Sequence, residues 1–336
     1  MKIAVLLGGT SMERDVSVAS GSQVVDALRR AGHEVIAVES SHGVLSPSEE
    51  HELLRAGIDR APPDKLGDTD ASFPALAVIP QAAEVDLVFL ALHGGSGEDG
   101  TIQGFLDMAG LRYTGSGAVG SALAMDKNVA KRLFLGAGVP TPEWQMAPVS
   151  LEVVRERLGF PVIVKPNGQG STVGLSLVRQ AEELECAIAA ATAFDDEVML
   201  ERYIPGRELT VGILDGEALA VGEIIPAEGD IFDYTAKYQP DAAREIFPAD
   251  IRPEIAAKVQ ALGLRAHEEL KLGSYSRVDF RMDPQDGLWV LEVNTLPGLS
   301  AGSLLPKSAG AVGIDFGELC ERICLGALAE KADPPS

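Results

Sequence analysis

The chain opens on an unbroken apolar run, Ile3 to Leu7, that stops at Gly8 and Gly9. A run of that length without polar alternation predicts a strand buried on both faces that enters a tight turn. Val16 to Arg30 then has helical character as far as Gly32, so a β-α opening is expected. Leu87 to Leu92 is a second buried run, and it delivers His93 and the glycine-rich HGGSGEDG to its C-terminal end, the edge where sites of open α/β sheets gather. Residues 41 to 80 are rich in Ser, Pro and Asp with no sustained period and predict surface loops around one short helix. From Gly115 small residues dominate, and Asp126 is placed to cap a helix through Leu135 that ends at Gly136 and Gly138.

Phe160 to Val164, Leu175 to Val178 and Val198 to Tyr203 predict strands of a smaller α+β unit, with a helix around Ala181 to Ala193. A third section starts near Pro205. It holds a helix from Pro253 to Leu270 with Ile255, Val259, Leu262, Ala266 and Leu270 on one face, and a closing helix from Phe316 to Ala329. The expected class is α/β and α+β, in units 1–115, 116–204 and 205–336.

Chemistry concentrates in SYSRVDFRMDPQDGLWVLEVNTLPG, where two alternating runs flank Pro284 to Gly287 and read as a hairpin. Alternation places Arg277 and Asp279 on one face of the first strand, and Val290, Glu292 and Asn294 on one face of the second. A turn symmetric about Gln285 and Asp286 sets Asp279 opposite Glu292. Facing carboxylates repel unless a proton or cation lies between them, and with the amide of Asn294 they form an all-oxygen set suited to Mg²⁺. The alternative is a solvated polar face.

Other segments are weaker alone. PVIVKPNGQGSTVGLSLV is a strand ending at Lys165, a Gly/Ser/Thr loop that offers N–H groups to phosphate, and a second strand; an ordinary turn reads the same way, and no Walker loop is present. Glu13 lies just past the first strand, where it could hold an ammonium group or be a solvated loop acid. His93 could meet a carboxylate or cap its loop. EIIPAEGDIFDYTAKYQPD has the composition of a lid, with Lys237 and Tyr238 as its working residues and a surface loop as the default.

A net charge of -22 argues against nucleic acid and anionic membrane surfaces as partners. No run reaches the roughly 18 apolar residues of a spanning helix, and the N-terminus lacks a signal-peptide core. The 3 cysteines, Cys186, Cys320 and Cys324, form no CxxC pair, which fits a reducing cytoplasm.

Taken in order, GGTSMERDVS, HGGSGEDGTIQG, YTGSGAVGSALAMDK, KPNGQGSTVG, DYTAKY, RVDF and EVNTLPGLSAGSLLP resemble the D-alanine:D-alanine ligases of the ATP-grasp superfamily, from Lys2 to about Leu328. The resemblance implies an ATP-grasp fold: a Rossmann-like substrate-binding domain at the N-terminus, a central subdomain, and a C-terminal subdomain with the metal site and lid. It further implies ATP, two Mg²⁺ ions with Mn²⁺ able to substitute, a homodimer, and ligation of two D-alanines for peptidoglycan synthesis. Carried over by residue, Lys127, Lys165 and Lys237 contact phosphates, while Glu201, Tyr203 and Ile204 meet adenine and Glu208 the ribose. Asp279, Glu292 and Asn294 hold metal. Glu13 takes the first ammonium, linked through Ser171 to Tyr238; Arg277 and Gly298 stabilise the oxyanion; Ser303 and Leu304 anchor the second carboxylate, with His93 nearby.

The chain departs from the pattern at Arg202, in NGQGST and at Gly302, which stands beside the second-substrate anchor. A related ligase using D-serine or D-lactate is therefore a rival. A dinucleotide-binding oxidoreductase is disfavoured because no GxGxxG follows the first strand. A silent nucleotide-binding regulator would require a lost ligand or lysine, and none is missing.

Overall fold

A computed structural model of the chain describes residues 1–53, 85–227 and 242–330. Lys2–Leu7 (β1), Glu34–Glu39 (β2), Gly43–Val44 (β3) and Leu87–Leu90 (β4) form a sheet in the order β3-β2-β1-β4, with β1 parallel to both β2 and β4. The connection changes side at β1, so the loops leaving β1 and β4 open a crevice at the C-terminal edge. The expected β-α opening is present, with the helix spanning Arg14–Arg30.

Trp144–Met146 (β5), Val162–Pro166 (β6), Ser176–Val178 (β7) and Val198–Arg202 (β8) form an antiparallel sheet in the order β5-β8-β6-β7. β6 begins at Val162 rather than Phe160, since Pro161 has no N–H to give the ladder. The expected helix is a 3₁₀ turn, Ala181–Glu183, followed by Leu184–Thr192.

Arg207–Leu214 (β9), Glu217–Pro226 (β10), Ala243–Ile246 (β11), Tyr275–Met282 (β12) and Leu288–Asn294 (β13) build the third sheet, antiparallel in the order β11-β10-β9-β12-β13. The helix Pro253–Glu269 buries Ile255, Val259 and Ala266 in one core with Val211, Val278 and Phe280 of this sheet, and Leu262 is partly buried against it.

β12 and β13 are the expected hairpin, with a different turn. Met282 pairs with Leu288 and Phe280 with Val290, which centres the turn on Gln285; Leu291 then bulges out, and pairing resumes with Asp279 opposite Glu292. The opposition is therefore as expected, but a bulge produces it. The bulge also corrects the face assignment: Val290 and Val293 are core residues, whereas Leu291 and Glu292 line a cavity on the other side. Bulges commonly re-aim side chains next to active sites in this way.

The cores do not follow chain order. Leu319, Cys320, Ile323, Cys324 and Ala327 of the closing helix, Phe316–Glu330, share a core with β1, β4 and the Arg14–Arg30 helix. The helices Ala118–Met125 and Lys127–Gly136 give Ala124, Ala130 and Phe134 to the core of the five-stranded sheet. Among the described residues, no helix is long and apolar enough to cross a membrane.

Candidate active site

A cavity of about 110 Å³ is lined by residues of both antiparallel sheets, including Lys127, Lys165, Glu201, Asp279 and Glu292. Lys127 begins the helix capped by Asp126, whose side chain accepts from the N–H of Val129 at 3.0 Å. Its Nζ donates to the Gln169 carbonyl at 2.6 Å and stands 3.4 Å from Glu292 Oε2. Lys165, on β6, donates to Glu201 Oε1 at 2.7 Å. Lys131, one turn beyond Lys127, is ion-paired to Glu201 Oε2. Burial would raise the Glu201 carboxyl, but Lys131 and then Lys165 outweigh it and hold it below its ordinary range. Burial brings the Lys131 ammonium down to about 8, against the pull of Glu201, so both members of the pair are ionised at neutral pH.

Tyr203, Ile204 and Glu208 line the same cavity and are gathered by one side chain. Arg281 donates to the carbonyls of Ile204 and Gly206, each at 3.0 Å, reaches Glu208 Oε2 at 3.4 Å, and lies 5.6 Å from the centre of the Tyr203 ring. Sequence reasoning singled out neither Arg281 nor Lys131. Arg281 follows the period-two face of Arg277 and Asp279, which is the signal that could have found it.

The facing carboxylates have cations of their own. Asp279 accepts from Arg277 Nε at 2.9 Å and Nη2 at 2.8 Å, from the Thr210 hydroxyl at 2.7 Å and from Asn294 Nδ2 at 2.9 Å. Glu292 faces Lys127. Among the described residues, no group of three or more His, Cys, Asp or Glu forms a metal cluster.

At the crevice of the parallel sheet, the Ser171 hydroxyl donates to Glu13 Oε1. Two glycines make room for that carboxylate: a Cβ on Gly94 would lie 2.6 Å, and one on Gly170 2.9 Å, from Glu13 Oε2. His93 is buried, with Nδ1 donating to the Leu296 carbonyl at 2.8 Å and Nε2 3.0 Å from the Ser20 hydroxyl. Burial holds its pKa below the ordinary imidazole value. With both nitrogens engaged, His93 joins the β4 loop to the segment after β13.

Glu98 makes a parallel tie. It accepts from the N–H groups of Gly94 at 2.8 Å and Leu296 at 3.1 Å, and burial, then the charge of Glu13, push its carboxyl up to about 8. Glu98 was also missed, although it stands between glycines in the quoted HGGSGEDG.

Ser303 precedes the helix Leu304–Gly310, and its hydroxyl is 2.8 Å from that of Ser300. A Cβ on Gly298 would approach Ser303 Oγ to 2.9 Å, so a side chain there would have to displace that hydroxyl. The Leu304 side chain is buried in a small core with Ile224, which leaves its backbone as the group able to meet a ligand. Lys237 and Tyr238 lie outside the described residues.

A cavity held between two antiparallel sheets, beside a parallel sheet whose crevice carries Glu13 and His93, is the architecture of the ATP-grasp ligases. Residues 2–116 match the family model for the D-ala D-ala ligase N-terminus, and residues 136–325 match that for the C-terminus. A D-alanine--D-alanine ligase of Synechococcus sp. is 41% identical over 332 residues, covering 98% of this chain and 93% of that protein. One from Acidiphilium cryptum is 42% identical over 320 residues, covering 95% and 96%. The crystal structure of the Bacillus anthracis D-alanine--D-alanine ligase complexed with ATP aligns with a TM-score of 0.78 at 30% identity over 98% of both chains. This chain belongs to the D-alanine–D-alanine ligase family.

Proposed function

We propose that the chain joins two D-alanine molecules with cleavage of ATP to ADP and phosphate, by way of an acyl phosphate, in the cytoplasm and for peptidoglycan precursors. The observation that carries this reading is the opposition of Asp279 and Glu292 on the wall of a cavity that also presents Lys127 and Lys165. Two carboxylates and an amide oxygen are hard donors that fit Mg²⁺, which when bound would neutralise phosphate charge. Lys127 and Lys165 position the phosphates of ATP, while Glu201, Tyr203, Ile204 and Glu208 hold its nucleoside.

Glu13, fixed by Ser171, takes the ammonium of the first D-alanine and so orients its carboxylate toward the γ-phosphate. After phosphoryl transfer the second amine attacks the acyl carbon, gives up a proton, and phosphate departs. Arg277 and the Gly298 N–H stabilise the tetrahedral oxyanion, and Ser303 with the Leu304 N–H holds the second carboxylate. No side chain becomes covalently attached to the substrate. The test is phosphate release and dipeptide formation with ATP and D-alanine, L-alanine or no amino acid; equal stimulation by both enantiomers contradicts the reading.

A second reading, D-serine or D-lactate as acceptor, rests on Gly302. The nearest atom to a Cβ built there is Ser300 Oγ at 3.9 Å, so the space beside the second-carboxylate anchor is open. Competition among the three acceptors separates the two readings.

A further inference from the structure

Lys131 is 0% exposed and is absent from the cavity lining, yet it is bonded to a residue of that lining. Its Nζ is ion-paired to Glu201, hydrogen-bonded to the Thr141 hydroxyl at 2.7 Å, and 5.1 Å from the centre of the Trp144 ring. Thr141 in turn donates to the Val290 carbonyl at 2.8 Å, and Trp144 is the cross-strand partner of Glu201. The ammonium is thus held by two segments, the 141–144 stretch and β8. A buried lysine–carboxylate pair is a poor source of stability, because desolvation consumes most of the attraction, so its presence asks for another use.

Glu201 supplies that use. Among the residues lining the cavity, Ile163 is its partner across the β6–β8 ladder, and Tyr203 and Ile204 follow it in the chain. The phosphate-suited groups Lys127, Asp279 and Glu292 come from other elements. Glu201 therefore carries its charge among apolar walls of the kind that flank a planar base. An ionised carboxylate accepts hydrogen bonds and cannot donate them. Facing position 6 of a purine, it suits the exocyclic amino group of a 6-aminopurine and repels the oxygen of a 6-oxopurine. Lys165 also bonds Glu201 but lines the cavity and, in the ATP reading, would be shared with the phosphates, so Lys131 is the cation dedicated to Glu201.

We propose that Lys131 is a positioning residue for base selection, fixing Glu201 as an ionised hydrogen-bond acceptor so that the cavity takes an adenine nucleotide and rejects a 6-oxopurine nucleotide. This rests on the reading that the cavity binds ATP. The experiment is calorimetric binding of ATP and of inosine triphosphate, whose base carries an oxo group at position 6, to the full chain and to Lys131→Met and Lys131→Arg. The parent should prefer ATP by at least about tenfold, the worth of one hydrogen bond to a charged group. Lys131→Met should bring the ratio close to one, and Lys131→Arg, which restores the cation, should recover it; a purely structural role would weaken both nucleotides alike.

An unchanged ratio in folded Lys131→Met overturns the proposal, as does a parent that binds both nucleotides equally. Should Lys131→Met fail to fold, Glu201→Gln gives the same reading, since an amide meets either edge and the ratio should collapse; a ratio kept at the parent's value overturns the proposal. A parent that binds neither nucleotide overturns the ATP reading, and this inference with it.

Discussion

Glu292 shows how a single side chain can matter to chemistry and little to stability. Its pair with Lys127 is partly exposed and long at 3.4 Å, worth no more than about 1 kcal/mol, and it faces a like charge on Asp279. Glu292→Gln should therefore lower dipeptide formation at least ~100-fold, the upper end for disturbing even the outer shell of a metal site, while the unfolding temperature stays within about 3 °C. Near-parent turnover in saturating Mg²⁺ removes the hairpin from the reaction. Glu98 makes the opposite case. Its folded carboxyl titrates at about 8, above the ordinary 4.5, so between those values the folded chain keeps a proton that the unfolded chain releases, and the Glu98 contribution to stability is lost as pH rises. Glu98→Gln should flatten the fall in unfolding temperature between pH 6 and 8.5; identical slopes in parent and variant refute this. The opposition of Asp279 and Glu292 was legible in the chain from the turn residues, although the bulge at Leu291 overrode the strand period that placed Glu292 on one face with Val290. Lys131 and Glu98 were not, because nothing in a local pattern distinguishes a fully buried charge from one in water.

At the scale of elements, the β12–β13 hairpin was read correctly for an incomplete reason. Alternation and the turn residues located it, but the bulge at Leu291 depends on how both faces are filled, which one strand's pattern does not reveal. The same bulge yields a prediction. Deleting Leu291 leaves Phe280 opposite Val290 and Asp279 opposite Glu292 in one continuous register, so the fold should survive and the carboxylates should still face each other. What disappears is an apolar wall of the cavity, and nucleotide affinity should fall about tenfold, the value of burying one aliphatic side chain. Loss of the fold on circular dichroism would show that the twist at the bulge is required. A signal was also overlooked. Asp215 and Gly216, with φ of 51° and 75°, close the β9–β10 hairpin, and Asp-Gly between two apolar runs is a strong two-residue turn signal.

Across the whole molecule, the helices read from 3.6-residue periodicity appeared nearly where expected, whereas the sharing of cores between distant segments left no local trace. The closing helix packs Leu319, Ile323 and Ala327 against the first sheet, with both Cys320 and Cys324 buried beside them. Each large aliphatic residue among these is worth about 1.5–3 kcal/mol, so together they approach the roughly 5–15 kcal/mol that holds a domain folded. Truncation before Phe316 should therefore abolish ordered structure around β1 and β4 instead of trimming a tail. Hydrogen exchange on the truncated chain measures this, and native-like protection of Ile3 to Leu7 would refute it. The same shared core bears on how the protein is made. β4 leaves the ribosome some 226 residues before Phe316, a wait on the order of 10–45 s at ordinary elongation rates. Throughout that interval the first sheet is synthesised but uncovered on the side the last helix will occupy. Its completion waits for that helix, and a nascent chain stalled before Phe316 is a client for chaperones and proteases.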